Sequence, residues 1–347
     1  STLSPSSAAS DVYKRQELEY DTIYRKGMDY KWVDKKGYVP AEANIQTGNI
    51  DGVDLQYYEE TYDGETTVTI YGLFNNSYSG KVTIPAEING HKVTKICDGA
   101  FRDSQISLIE FEAPDNIESI GMGAFYNCSL EKIDIPNVKY IFANTFENCI
   151  NLSELNIPQG VIKIQNSAFK NCGLISVILP KGMKNIESNA FSDCPYMKSV
   201  TIPEGVEEIG WAAFAATALE SVYIPSSVKS IEEYAFCECR ELKDVTISEG
   251  VEHIGMLAFN NCQNIGDVQI PASVKKIDAY AFNLCWYWNE GTIKFIRKTD
   301  FEYDNSMLWN DNRVSILIPI DAKENYTNYD GTIIFEHVSN DKVCLLY

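Results

Sequence analysis

Cysteine is the residue of this chain best suited to chemistry, with ten present against three histidines in 347 residues. Seven of them, Cys128, Cys149, Cys172, Cys194, Cys239, Cys262 and Cys285, each stand three residues after a phenylalanine, and Ser104 and Thr217 hold that place in two further units. A zinc site needs two ligands close in sequence paired with two more, and a lone cysteine at each step offers neither that spacing nor histidine partners. Disulfides are geometrically conceivable, since neighbouring strands lie about 4.8 Å apart and bridged Cα atoms about 5.5 Å. Serine and threonine at the same position instead indicate a slot for a small buried group, which free cysteine fills well. The column reads as a ladder of structural thiols, without a metal. Cys237, in Cys237-Glu238-Cys239, reads as a surface or edge residue.

The remaining candidates for chemistry are sparser. His91, His253 and His337 are scattered, and His253 falls between the inward-facing Val251 and Ile254, where it reads as exposed. Paired acids such as Glu207-Glu208 and Glu232-Glu233 are adjacent on one segment, whereas carboxylate catalysis needs an opposed pair across a cleft. No nucleophile-elbow, zinc-helix, phosphate-loop or dinucleotide pattern occurs. The sequence therefore predicts no enzyme and no cofactor. Asp304-Asn305 and Asn310-Asp311-Asn312 supply oxygen ligands but not the spacing of a calcium loop, and read as Asx-rich turns. A net charge of −20 disfavours nucleic acid, whose binding depends on lysine and arginine. No run of 18 apolar residues is present, so no membrane insertion is predicted.

The cysteines take their place from a larger repeat. An Ala-Phe pair, once Thr-Phe, recurs nine times from Phe101 to Phe282 at a step of 21 to 24 residues, the signature of a solenoid. Aligned on it, the unit reads V-x-I-P-x-x-V-x-x-I-x-x-x-A-F-x-x-C, clearest in 200–214 and 268–282. Val200 and Ile202 flank one variable residue, a short strand with two side chains inward and one outward. Proline ends the strand because it lacks an N–H and fixes φ. The Val206 and Ile209 pair makes a second inward stripe, and the Phe and Cys close the remaining corner. One such unit cannot bury its apolar side, but stacked units form a continuous core.

This pattern resembles the BspA-like, treponemal-type leucine-rich repeat, which carries V-x-I-P, V-x-x-I-G and A-F-x-x-C in a coil of this length. The resemblance runs from about Gly80 to Cys285, and GKVTIPAEINGHKVTKICDGAF is similar to the opening of such arrays. It implies a leucine-rich-repeat solenoid of about nine repeats with caps at both ends. It also implies a secreted or surface-displayed protein, with any secretion signal upstream of this sequence. Its expected role is non-enzymatic adhesion to a host or cell-surface protein, acting as a monomer. A glycan-binding module and a structural spacer for another domain are the alternatives.

Along the chain, residues 1–16 read as a non-native, disordered tail and 17–53 as an unassigned flank. Residues 54–97 read as a hairpin cap around Asp63-Gly64 with the first repeat strand, 98–290 as the repeat array, 291–336 as capping repeats and 337–347 as a tail. The outward strand position, Thr83, Glu112, Asp134, Asn156, Ile178, Thr201, Tyr223, Thr246 and Gln269, is the most variable column and the predicted binding face. Asn156 to Gln269 are its candidate contacts. Trp211 and Trp288 are secondary candidates, since aromatic faces stack on sugars or on partner side chains.

Overall fold

Every coil is a three-sided turn of chain, and each side is set by one segment of the repeat. The computed structural model describes residues 42–285 and 291–296, with further strands at Tyr30–Val33, Gly37–Pro40, Glu302–Tyr303, Val314–Pro319 and Val343–Leu346. Residues 1–16, Trp288 and the Asx-rich segments near 304 and 310 lie outside the described residues.

The V-x-I segments form the first wall. Ser199–Thr201 pairs in parallel with Ser176–Ile178, and Ser221–Ile224 with Asp244–Ile247. At the array's start Ser79–Ile84, Gln105–Phe111, Lys132–Asp134 and Glu154–Asn156 make a four-stranded parallel sheet, and Val268–Ile270 leads a second one through Gly291–Phe295 and Val314–Pro319 to Val343–Leu346. Where the ladder is interrupted, single backbone bonds continue the stack, as from Ile175 N–H to Ser153 O (3.2 Å) and from Glu220 N–H to Lys198 O (3.1 Å). The second wall is a ladder of two-residue parallel strands running from Tyr140–Ile141 through Glu208–Ile209 to Glu302–Tyr303.

The third side carries no regular strand, yet it is hydrogen-bonded from coil to coil. Asn144, Phe146 and Asn148 donate their N–H groups to Asn166 O (3.1 Å), Ala168 O (2.8 Å) and Lys170 O (2.8 Å), and the coils that follow repeat this. To aim these amides along the stack, the residues two before and two after each phenylalanine adopt left-handed conformations, as at Asn127 (φ 55°), Asn148 (φ 64°) and Asn171 (φ 54°). Asparagine tolerates that region, but Ala216 (φ 54°), Leu257 (φ 57°) and Leu284 (φ 56°) occupy it at a cost.

Inside, the nine repeat phenylalanines are fully buried and form one file. Successive rings lie 5.2 to 5.6 Å apart at their centroids and within 10° of parallel, an offset stack. Val206, Ile209, Val251 and Ile254 are likewise buried, so the inward stripe of the second wall packs against the file.

At the amino-terminal end Gln46–Ile50, Val53–Tyr62 and Glu65–Leu73 form an antiparallel sheet. The last two are joined through Asp63 (φ 52°) and Gly64 (φ 82°), the positive-φ pair of a tight hairpin turn. Glu65–Leu73 then pairs in parallel with His91–Ile96 and so covers the first coil. A buried ion pair, Lys95 Nζ to Glu60 Oε1 at 2.8 Å, ties this sheet to the array.

One register differs from the sequence expectation. Thr83 pairs with Glu110 and Ile84 with Phe111, so the outward residue of that coil is Glu110 and not Glu112. The proline used as the anchor there, Pro114, opens a 3-10 turn after two residues that intervene beyond the strand. Glu112 has instead turned away, and its Oε2 accepts the Ala86 N–H at 3.0 Å.

Candidate functional site

The cysteine column is structural. Cys149, Cys172, Cys194, Cys239 and Cys262 are buried, and each thiol donates to the carbonyl of the phenylalanine one coil earlier at 3.1 or 3.2 Å. Burial pushes the Cys194 thiol up to about 12, and raises Cys149, Cys172, Cys239 and Cys262 strongly as well. Thr217 in the same slot donates to Phe214 O at 2.9 Å. The slot thus asks for a small group that can donate, a more specific demand than size. Cys237 departs from its expected surface position: it is 8% exposed, and burial pushes its thiol up to about 11. Asn260 of the next coil covers it, donating to its sulfur at 3.6 Å.

His253 also differs from expectation, being half-buried and engaged. Its Nε2 lies 2.8 Å from Asp278 Oδ2 and its Nδ1 3.4 Å from Ser230 Oγ, so serine, histidine and aspartate from three successive coils stand in a row. Burial acts to raise the Asp278 pKa, but hydrogen bonds from Lys276 and His253 outweigh it and hold the carboxyl below its usual range. The row is not arranged for acyl transfer. Ser230 donates to Glu232, and the amides beside it are spent on the stack, Glu232 N–H on Ile209 O and Gly255 N–H on Ile231 O, both at 2.8 Å. It holds coils together. Register, not spacing within one unit, reveals it, because its members are 23 and 25 residues apart.

The first wall is where the molecule exposes what a core would normally take in. Asn156, Ile178, Thr201, Tyr223, Thr246 and Gln269 all project outward, and Ile178 and Tyr223 are 67% and 55% exposed. Between each pair the flanking Val and Ile point inward, as at Val222 and Ile224, which are buried.

Three further exposed apolar side chains, Ile150, Ile175 and Tyr196, lie on the segments leading into these strands, and the sequence reading did not single them out. They surround a notch of about 390 Å³ that Gly173, Pro195, Lys198 and Ala218 also line. At the notch, the coil through Gly173 is one residue shorter between its Cys and its strand Val than the coils on either side. The short path brings backbone close to backbone, and a Cβ on Gly173 would lie 2.3 Å from Ile150 O. Recessed there, the coil leaves Ile150 and Tyr196 standing on either side, 60% and 62% exposed. The same shortened interval occurs from Cys128 to Ile133 and from Thr217 to Val222, so length alone does not mark the notch in the sequence.

Trp211 lies elsewhere, on the turn side beside Phe214, half-exposed and edge-on to Tyr234 at 5.7 Å. It does not join the strand face. Among the described residues no cluster of histidine, cysteine and carboxylate groups is arranged to hold a metal.

Residues 71–197 and 163–288 match the model of the BspA type leucine-rich repeat region, in six copies. The chain is similar in structure to a leucine-rich cell surface protein from Faecalibacterium prausnitzii, with 22% identity, a TM-score of 0.59, and 86% of this chain and 89% of that one covered. It is also similar to the pneumococcal vaccine antigen PcpA, with 17% identity, a TM-score of 0.51, and 88% and 99% covered. At such identities the likeness speaks for the solenoid alone. No curated protein matches the chain.

Proposed function

Because the chain belongs to the BspA-type leucine-rich repeat family, we propose that it is a non-enzymatic binding or adhesion protein of the cell surface or extracellular space. It engages a protein partner through its first wall. One observation carries this reading. Of the nine large apolar side chains that are exposed among the described residues, Ile150, Ile175, Ile178, Tyr196 and Tyr223 gather on four consecutive coils around that wall. Clustered exposed apolar groups with a polar rim are what docking surfaces present, whereas single ones need no explanation. The cell-surface description of the Faecalibacterium relative agrees with the setting, and among the described residues no helix is long and apolar enough to cross a membrane.

The test is capture of purified matrix proteins, mucins and a glycan panel by the immobilised protein. Ile178→Glu, Thr201→Glu and Tyr223→Glu are expected to abolish capture of a protein ligand while changing stability by about 0.5 kcal/mol each, as surface substitutions do. Undiminished capture by all three variants would remove the strand face from consideration. Capture of glycans alone, lost on substitution of Trp211, would favour the glycan-binding reading.

A further inference from the structure

The outward positions just before the inward valines form a second column beside Ile178 and Tyr223. From coil to coil it reads Lys132, Glu154, Ser176, Ser199, Ser221, Asp244 and Asp267, all exposed. Strand registers align Lys132 with Glu154, Ser176 with Ser199 and Ser221 with Asp244. Backbone bonds from Ile175 to Ser153, Glu220 to Lys198 and Gly266 to Lys243 carry the alignment across the gaps. The three serines are short, while Ile175 and Tyr196 rise on one side and Ile178 and Tyr223 on the other. The result is a shallow trough that runs along the solenoid, with the notch opening from one wall.

Carboxylates flank the three serines at both ends, with Lys132 in register beyond Glu154. Glu154 stands at one, Asp244 and Asp267 at the other, and no ion pair engages any of the three among the described residues. Lys198, at the side of the trough, is already held by Glu220 at 3.3 Å. Over Glu131 to Asp267 this column and the residues preceding it carry five carboxylates and three lysines. From Glu154 to Asp244 is four coil steps, about 19 Å at about 4.8 Å each, which about six residues of extended chain would span.

Building on the strand-face reading, we propose that this trough binds an extended segment of a protein partner with a basic residue near each end and apolar residues between. One branched or aromatic side chain enters the notch between Ile150 and Tyr196. The basic ends meet Glu154 and the Asp244-Asp267 pair, so charge fixes the placement and the apolar centre supplies the contact area.

The probe is a capped heptapeptide with lysine at both ends and phenylalanine and leucine between, compared with the same peptide carrying glutamate ends. Binding to the whole protein is followed by fluorescence anisotropy at low salt. The lysine form is expected to bind at least tenfold more tightly, and Glu154→Lys combined with Asp244→Lys to abolish or reverse that preference. Ala218→Trp, which fills the notch, is expected to weaken the lysine peptide at least fivefold with an unchanged melting temperature. Equal binding of the two peptides, no binding of either at millimolar concentration, or a preference that survives the double charge reversal would overturn the proposal. Those failures remain separable from failure of the strand face itself. If Tyr223→Glu abolishes capture of a matrix protein while the peptides show no charge preference, the face stands and the basic-apolar-basic ligand does not.

Discussion

The buried thiols give the molecule a pH dependence that ordinary cysteines would not. Cys194 is pushed up to about 12 from the ordinary value of 9.0, so the folded state keeps a proton that the unfolded chain releases above pH 9. Its stabilising contribution is therefore complete below pH 9 and is lost as pH rises from there toward 12. The slope is up to about 1.4 kcal/mol per pH unit for each such thiol. Urea denaturation at pH 8, 10 and 11 should show this fall, and Cys194→Thr should make it shallower. Phe214→Ala, which removes one ring from the file, should cost about 3–5 kcal/mol, read from thermal or urea melts. The buried phenylalanines and cysteines were legible in the sequence because they repeat. The thiol-to-carbonyl bonds were not, since donor and acceptor lie a whole coil apart. Cys237 was misplaced for a similar reason: what buries it is Asn260, on the neighbouring coil.

Among the elements, the turn side carries the clearest local strain. Ala216 holds φ 54° with no side-chain bond to offset it, and its side chain is only half-buried. Ala216→Gly should stabilise the protein by about 0.5–1 kcal/mol, because glycine enters the left-handed region without steric cost, partly offset by its greater freedom in the unfolded chain. A lower melting temperature for this variant would show that the strain is absent. The strands could be read from V-x-I alternation, and their walls from the offset to Val-x-x-Ile. Register failed only at Glu112, where Pro114 no longer abuts the strand and the alignment anchor slid by two residues. The notch escaped notice because it depends on a difference between coils, whereas a consensus averages such differences away.

For the molecule as a whole, stability is a sum of coil and neighbour terms, so opening should begin at the ends. Hydrogen exchange of the third-side amides is expected to be slowest between Phe146 and Phe236 and faster toward Phe101 and Phe282; uniform protection would indicate a single cooperative block. The amino-terminal cap adds a specific dependence. Glu60→Ala leaves Lys95 buried without its carboxylate and should cost about 3–5 kcal/mol, measured against Lys95→Met with Glu60→Leu, which removes both charges and should cost much less. The shortened coil at Gly173 has a consequence for how such an array diversifies. A single added or deleted residue between the cysteine and the strand lies outside the phenylalanine file, beside the buried Leu174 and the Ile175-to-Ser153 backbone bond, and it changes how far neighbouring side chains stand out on the outer face. Recognition can then be retuned one coil at a time through this short segment, with the phenylalanine file retained.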